Sequence, residues 1–146
     1  MFKDFTIAFI GSGVMAEAMI NGLLNGSKVL KPNQILAADP HESRGKELVE
    51  RYGIQWTPDN VEAAKDANVV VLSVKPQMFD KVAPELHGNV PSAALVLSIM
   101  AGVPIKRIAT GLGIRRVVRA MPNTPAPAEQ ESYQLPQVAP FRHILY

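Results

Sequence analysis

The sequence has no cysteine, which excludes disulfide bonds, zinc–thiolate sites and a cysteine nucleophile. It has no apolar run of about 18 residues, the length that a membrane-spanning helix needs. It also lacks the basic start, long apolar stretch and small-residue cleavage site of a secretory signal. We therefore expect a cytoplasmic chain without a membrane partner, and the absence of cysteine suits a reducing compartment.

An excess of charge of one sign is missing as well. Fifteen Lys and Arg against 13 Asp and Glu give a net charge of +2, and no run of five like charges occurs. This bias is too small to favour a nucleic-acid partner. The histidines, His41, His87 and His143, do not show the spacing of metal ligands, so we expect no metal site.

The composition itself is typical of one globular domain, with 146 residues of which 47% are hydrophobic and 19% charged. Domains hold roughly 100–200 residues, and a chain of this size can bury about two-thirds of its unfolded surface. Its 12 prolines outnumber its 10 glycines, and five of these prolines fall in the last 25 residues, where glycine is absent. The end of the chain therefore differs in character from the rest.

Strand and helix patterns alternate through the first 121 residues. Short apolar runs predict strands at residues 5–10, 34–38, 55–56, 68–74, 95–100 and 116–120. Helical patterns lie between them at residues 15–24, 42–51, 61–65, 77–86 and 104–110. Such a series predicts an α/β fold, a Rossmann-like and mostly parallel sheet with helices on both faces. From residue 122 the pattern stops, which predicts an irregular C-terminal tail.

A glycine-rich motif directly follows the first predicted strand. Gly11, Ser12, Gly13, Val14, Met15 and Ala16 match the pattern GxGxxA and open the first predicted helix. Gly11 would allow the tight turn, Gly13 would let the backbone approach a pyrophosphate, and Ala16 would allow close helix–strand packing. The helix N-terminus would offer free N–H groups to the phosphates. The motif predicts dinucleotide binding, and the alternative is a tight turn without a ligand.

Asp39 ends the second predicted strand, where an acidic residue can bind the adenosine ribose. A carboxylate there favours NAD, because it would repel a 2′-phosphate. His41, Ser43 and Arg44 follow at once and could hold such a phosphate, which favours NADP. The choice between NAD and NADP stays open, and Asp39 alone could also serve as a turn residue before Pro40.

Residues after the later strands are further candidates, because ligands in parallel sheets bind at the carboxyl ends of strands. Lys75 follows a buried strand without a packing role, although it could simply extend into solvent. Asn60 fits a helix N-cap. The small residues around Met100 suit a chain passing close to a flat ring, while Met100 itself fits the core. Residues 119–125 predict a stiff proline-flanked loop.

Four segments taken together resemble one family. FIGSGVMAEAM, SVKPQ, SIMAGVPI and VVRAMPNTPA occur in the order and at the distances found in the cofactor domain of pyrroline-5-carboxylate reductase. The resemblance covers about residues 5–126. It implies hydride transfer from NAD(P)H to the C=N bond of 1-pyrroline-5-carboxylate, a step of proline biosynthesis, with NADP or NAD as cofactor. The chemistry of hydride transfer belongs to the cofactor, which the protein positions.

The resemblance also implies a binding role for particular residues. A first group would wrap the pyrophosphate: Ile10, Gly11, Ser12, Gly13, Val14 and Met15. Asp39 and His41 would lie at the adenosine ribose, with Asn60 on the adenine side. A second group would line the ribose and nicotinamide: Ser73, Val74, Lys75, Pro76, Ile99, Met100 and Ala101. A third group would border the nicotinamide where the imine docks: Met121, Pro122 and Asn123.

The sequence departs from the family after residue 126. Family members continue into a helical C-terminal domain that carries the dimer interface and substrate-binding groups, whereas residues 127–146 resemble none of it. We therefore expect a cofactor domain at 1–126 and an unrelated tail at 127–146, without the family's dimer interface or its substrate-side catalytic residues. We interpret the chain as the cofactor-binding half of a truncated or frame-shifted reductase. The alternatives are a stand-alone dinucleotide-binding module and another reductase of the same fold.

Overall fold

The fold of residues 3–120 is described by a computed structural model. Its sheet has six strands, namely β1 (Ile7–Ile10), β2 (Ile35–Ala38), β3 (Gln55–Thr57), β4 (Val69–Leu72), β5 (Leu95–Ser98) and β6 (Val117–Arg119). They lie in the order β3-β2-β1-β4-β5-β6, and all five pairings are parallel. The predicted Rossmann-like sheet is confirmed, and its strand order reverses between β1 and β4, where such sheets bind ligands.

Five α-helices connect the strands, namely α1 (Val14–Asn21), α2 (Glu42–Tyr52), α3 (Asn60–Ala64), α4 (Phe79–Leu86) and α5 (Ile105–Leu112). Short 3-10 turns at Pro32–Gln34 and Pro76–Met78 precede β2 and α4. Gly53 ends α2 in the left-handed conformation, with a φ of 72°, which glycine adopts without strain.

Hydrophobic residues fill both faces of the sheet. Along β1, Ala8 and Ile10 pack into the core on one face, and Ile7 and Phe9 into the core on the other. The central strand β4 is divided in the same way. Successive side chains of a strand point to opposite faces, so a strand that is covered by helices on both faces needs an unbroken apolar run. This explains the sequences IAFI and VVVL.

Two local features differ from the prediction. The helix predicted at 15–24 begins at Val14 and continues beyond Asn21 as a π-helical turn, Gly22–Gly26, which the backbone N–H of Ser27 closes by donating to the Gly22 carbonyl. The N-cap of α3 is Asp59 rather than Asn60. The Asp59 carboxylate accepts hydrogen bonds from the N–H groups of Val61 and Glu62, which leaves Asn60 inside the first turn.

Within residues 3–120 no helix is both long and apolar enough to cross a membrane. The proposed boundary at residue 126, and with it the division into 1–126 and 127–146, lies outside the described part of the chain and stays a prediction.

Candidate functional site

An open groove of about 810 Å³ lies at the carboxyl ends of β1 to β4. Its walls come from the four loops that follow these strands and from the start of α4, and its lining residues are Gly11, Ser12, Gly13, Asp39, Pro40, His41, Pro58, Asp59, Asn60, Val61, Ser73, Val74, Lys75, Met78, Lys81, Val82 and Glu85. Nine of the predicted binding residues therefore meet in one groove: Gly11, Ser12, Gly13, Asp39, His41, Asn60, Ser73, Val74 and Lys75. The groove spans the point where the strand order reverses.

The turn after β1 is fixed by hydrogen bonds from neighbouring strand ends. Gly11 has a φ of 93°, and its N–H donates to the carbonyl of Ala38 over 3.0 Å. The hydroxyl of Ser73 donates to the Gly11 carbonyl over 2.6 Å. The buried Ser12 hydroxyl donates to the Ala38 carbonyl over 3.0 Å. The loop is thus held rigidly between β2 and β4.

The N-terminus of α1 is left open toward the groove. Within residues 3–120, the backbone N–H groups of Ser12, Gly13 and Val14 donate no hydrogen bond, and no side chain caps the helix. Val14, the first residue of the helix, is 81% exposed. Free N–H groups combined with the positive end of the helix dipole form a site suited to a phosphate.

Glycine stands at positions 11 and 13 of the loop for different structural reasons. A Cβ on Gly11 would lie 2.8 Å from both Cγ1 and the backbone nitrogen of Val74. A Cβ on Gly13 would have no atom of the described chain within 4 Å, and Gly13 has an extended backbone with a φ of −79°. Packing therefore requires glycine at position 11, whereas at position 13 the absent side chain leaves space for something outside the protein.

Asp39 lies at the end of β2 beside the groove and is mostly buried. Its Oδ1 accepts hydrogen bonds from the His41 backbone N–H over 2.9 Å and faces His41 Nδ1 at 3.0 Å. The Trp56 indole donates to the Asp39 carbonyl over 3.0 Å. Within the described chain, Asp39 Oδ2 has no hydrogen-bond partner, so one carboxylate oxygen stays available to a ligand.

Arg44 does not line the groove, although the sequence placed it among possible phosphate ligands. Its Nε donates to the Ser12 carbonyl over 2.6 Å, and its Nη2 reaches the Gly13 carbonyl at 3.3 Å. Nη2 also lies 2.8 Å from Glu17 Oε1, and Nη1 pairs with Glu47. The guanidinium therefore binds the back of the glycine loop.

Glu17 of α1 connects this arginine to the end of α2. Its Oε2 accepts hydrogen bonds from the Tyr52 hydroxyl and from Arg51 Nη1, both over 2.7 Å. The hydroxyl of Tyr52, followed by the guanidinium groups of Arg51 and Arg44, stabilises the carboxylate and outweighs its partial burial, so the pKa of Glu17 falls from 4.5 to about 2. The same hydrogen bond raises the pKa of Tyr52.

We expect replacement of Glu17 by glutamine to reduce stability in a pH-dependent way. A carboxyl whose pKa is lower in the folded chain stabilises it fully above its unfolded pKa, here about 4.5, and loses that effect as the pH falls toward 2. At pH 7, the free energy of unfolding of Glu17→Gln should be about 1–2 kcal/mol lower than that of the unsubstituted chain, a value that allows for screening by solvent. Urea unfolding at pH 7, 4 and 2 measures this. The difference in the free energy of unfolding between Glu17→Gln and the unsubstituted chain should disappear as the pH is lowered. Glu62→Gln, whose side chain forms an exposed ion pair with Lys65, should show no such difference at any of these pH values.

The remaining predicted residues are more scattered. Asn60 and Glu85 both line the groove, and Asn60 donates from Nδ2 to Glu85 Oε2 over 3.0 Å. Ile99 and Ala101 follow β5 and do not line the groove, and the Met100 side chain is buried in the core. Their predicted cofactor contacts stay predictions, as do those of Ile10, Val14, Met15 and Pro76. Met121, Pro122 and Asn123 lie outside the described residues.

Several groove residues carry no recognisable sequence signal. Met78, Lys81 and Glu85 reach the groove from the 3-10 turn before α4 and from α4 itself, at helical spacing. The described residues contain no group of three or more His, Asp or Glu side chains that could hold a metal ion. The polar groups that line the groove include the carboxylates of Asp39, Asp59 and Glu85 and the ammonium groups of Lys75 and Lys81, together with the backbone N–H groups of the glycine loop.

The parallel sheet, its reversed strand order and the glycine loop after β1 are the features of a dinucleotide-binding Rossmann fold. The family model described as "NADP oxidoreductase coenzyme F420-dependent" matches residues 6–102. The chain belongs to this family.

The predicted resemblance to pyrroline-5-carboxylate reductases is confirmed. Such an enzyme from Synechocystis sp. is 42% identical over 120 residues, which covers 82% of this chain and 44% of the relative. Another from Vibrio alginolyticus is 43% identical over 122 residues, with the same two shares. The solved pyrroline-5-carboxylate reductase of Coxiella burnetii superposes with a TM-score of 0.77 at 30% identity, covering 96% of this chain and 56% of that one. The chain thus spans about half the length of the relatives it matches.

Proposed function

We propose that this chain binds a nicotinamide dinucleotide in the groove, with the pyrophosphate against the N-terminus of α1. The observation that carries the proposal is the combination of unbonded N–H groups at Ser12, Gly13 and Val14 with open space at Gly13. We call these three N–H groups and the open space beside them the cradle, and a phosphate group fits it. The description of the family model, which names NADP, supports the same ligand.

The end of β2 suits the adenosine ribose of this ligand. The available Oδ2 of Asp39 can accept hydrogen bonds from ribose hydroxyls, which favours NAD. Arg44 donates to loop carbonyls and to carboxylates, so within this structure it does not extend toward a 2′-phosphate. The family description favours NADP. The proposed cofactor is therefore NADP or NAD, and the affinity ratio of the two is a measurable property of this site.

We further propose that the chain is the cofactor-binding half of a pyrroline-5-carboxylate reductase. A bound nicotinamide dinucleotide would supply the hydride that goes to the C=N carbon of 1-pyrroline-5-carboxylate, while the ring nitrogen takes a proton to give L-proline. The names of the relatives at 42% and 43% identity support this reaction. In this proposal residues 73–76 and 99–101 lie beside the nicotinamide, and Met121, Pro122 and Asn123 lie where the imine docks.

The proposed binding is tested by titrating the purified chain with NADH and, separately, with NADPH. Trp56 is the only tryptophan, so quenching of its emission by the reduced nicotinamide provides a direct signal. We expect saturable binding of at least one cofactor with a Kd in the micromolar range, which corresponds to a binding free energy of about −8 kcal/mol. Absence of saturable binding of either cofactor would refute the proposal.

The reductase assignment needs a separate measurement. We expect the 146-residue chain to bind the cofactor but to oxidise NADPH only slowly with 1-pyrroline-5-carboxylate, because it spans 44% of the length of its curated relatives. Absorbance at the NADPH band, with and without the imine, measures turnover. Binding with no imine-dependent turnover favours the stand-alone binding module, whereas slow turnover that forms proline favours the reductase half.

A further inference from the structure

We propose that Arg44 is a positioning residue, which orients the peptide groups of the glycine loop so that their N–H groups face the pyrophosphate. This inference rests on the proposed dinucleotide binding. It assigns Arg44 a function behind the loop, in contrast to the direct phosphate contact that the sequence suggested. The residues that carry it are Arg44 itself, the carbonyls of Ser12 and Gly13, and the two carboxylates that hold the guanidinium.

The first step is the geometry of the peptide bond. In a trans peptide the C=O and the following N–H point in opposite directions. Arg44 Nε holds the Ser12 carbonyl over 2.6 Å, and Nη2 lies 3.3 Å from the Gly13 carbonyl. The N–H groups of Gly13 and Val14 belong to these two peptide groups, so they point away from the guanidinium. They are two of the N–H groups that have no partner in the described chain.

The second step is the position of the groove. Ser12 and Gly13 line it and Arg44 does not, so the loop separates the guanidinium from the ligand space. A charged donor behind the carbonyls also polarises both peptide groups and strengthens their N–H groups as donors. Arg44 thus acts on a phosphate through the loop, without touching it.

The third step is the rigid placement of Arg44. Its side chain is only 21% exposed, and it is held by Glu17 of α1 and by Glu47 one turn further along α2. A planar guanidinium has five donors in a fixed arrangement, which lets it serve two carbonyls and two carboxylates at once. Lysine has a single ammonium group and would keep the charge while losing part of this pattern.

Replacement of Arg44 tests the inference, with Arg51 as a matched control. Arg51 pairs with the same two carboxylates but donates to no loop carbonyl. We expect Arg44→Met to weaken the binding of NADH and NADPH equally, by about tenfold, because both share the pyrophosphate. The cofactor affinity of Arg44→Lys should lie between those of Arg44→Met and the unsubstituted chain. Arg51→Met should change the affinity less than twofold. Tryptophan fluorescence titration gives the affinities, and thermal unfolding shows that each variant is folded.

A spectroscopic readout separates positioning from general stability. In the unsubstituted chain, NADH should shift the amide NMR signals of Gly13 and Val14 together with that of Asp39. In Arg44→Met, saturating NADH should still shift Asp39, whereas the changes at Gly13 and Val14 should shrink. Unchanged NADH affinity in a folded Arg44→Met variant would overturn the inference, as would a loss confined to NADPH, which indicates a direct 2′-phosphate contact. Failure of the unsubstituted chain to bind either cofactor would instead refute the proposed function.

Discussion

Replacing Gly13 by valine should abolish dinucleotide binding while leaving the fold intact. A Cβ at this position meets no atom of the described chain within 4 Å, and the backbone φ of −79° is one that any residue can adopt. The branched side chain would instead occupy the space proposed for the pyrophosphate, next to the unbonded N–H groups. We expect NADH affinity to fall by at least about 100-fold, equivalent to about 2.7 kcal/mol.

The matched control for this substitution is Gly22→Val at the other end of α1. Gly22 is exposed, and a Cβ there also meets no atom within 4 Å, so the added volume is the same while its position is remote from the groove. Fluorescence titration should show unchanged NADH affinity for Gly22→Val, and both variants should unfold cooperatively. If Gly13→Val binds NADH as tightly as the unsubstituted chain, the pyrophosphate does not lie at this loop.

Much of the fold could be predicted from the sequence, because its strongest signals are local. The apolar runs of β1 and β4 have to be buried on both faces, and this requirement already implies a parallel sheet between two layers of helices. The strand ends were less predictable. Residues 5–10 form a strand only over Ile7–Ile10, since pairing with β2 and β4 extends over those four residues alone.

The residues that line the groove could in part be predicted, since the glycine motif and Asp39 follow strands whose carboxyl ends meet. The contacts of Arg44 and Glu17 that support the glycine loop from behind could not be predicted. Arg44 lies 32 residues from Ser12, and Tyr52 lies 35 residues from Glu17, so no local pattern links either pair. The fold brings each pair together, because α1 and α2 bury core residues in the same hydrophobic cluster on one face of the sheet. The prediction of Asn60 as the N-cap of α3 was wrong by one residue, because the adjacent Asp59 is also a good cap type and its carboxylate takes that position.

Replacing Gly11 by alanine should destabilise the fold itself, unlike the change at Gly13. The added Cβ would lie 2.8 Å from the Val74 nitrogen and 2.9 Å from the Ser73 carbonyl carbon, and these backbone atoms, which directly follow β4, cannot move aside cheaply. The φ of 93° adds strain for any residue with a side chain. We expect a loss of about 3 kcal/mol in the free energy of unfolding, a large part of the stability of a small domain.

Gly88→Ala isolates the contribution of the backbone conformation. Gly88 has a φ of 80°, close to that of Gly11, but a Cβ there meets no atom within 4 Å, so only the strain remains. Urea unfolding should therefore give Gly88→Ala a free energy of unfolding about 1 kcal/mol lower than that of the unsubstituted chain. The free energy of unfolding of Gly11→Ala should be well below that of Gly88→Ala. Equal losses for the two variants would mean that the contact with Val74 relaxes freely. The larger loss at Gly11 would show that the loop is fixed by β4, which holds the N–H groups of the cradle in place before any ligand arrives.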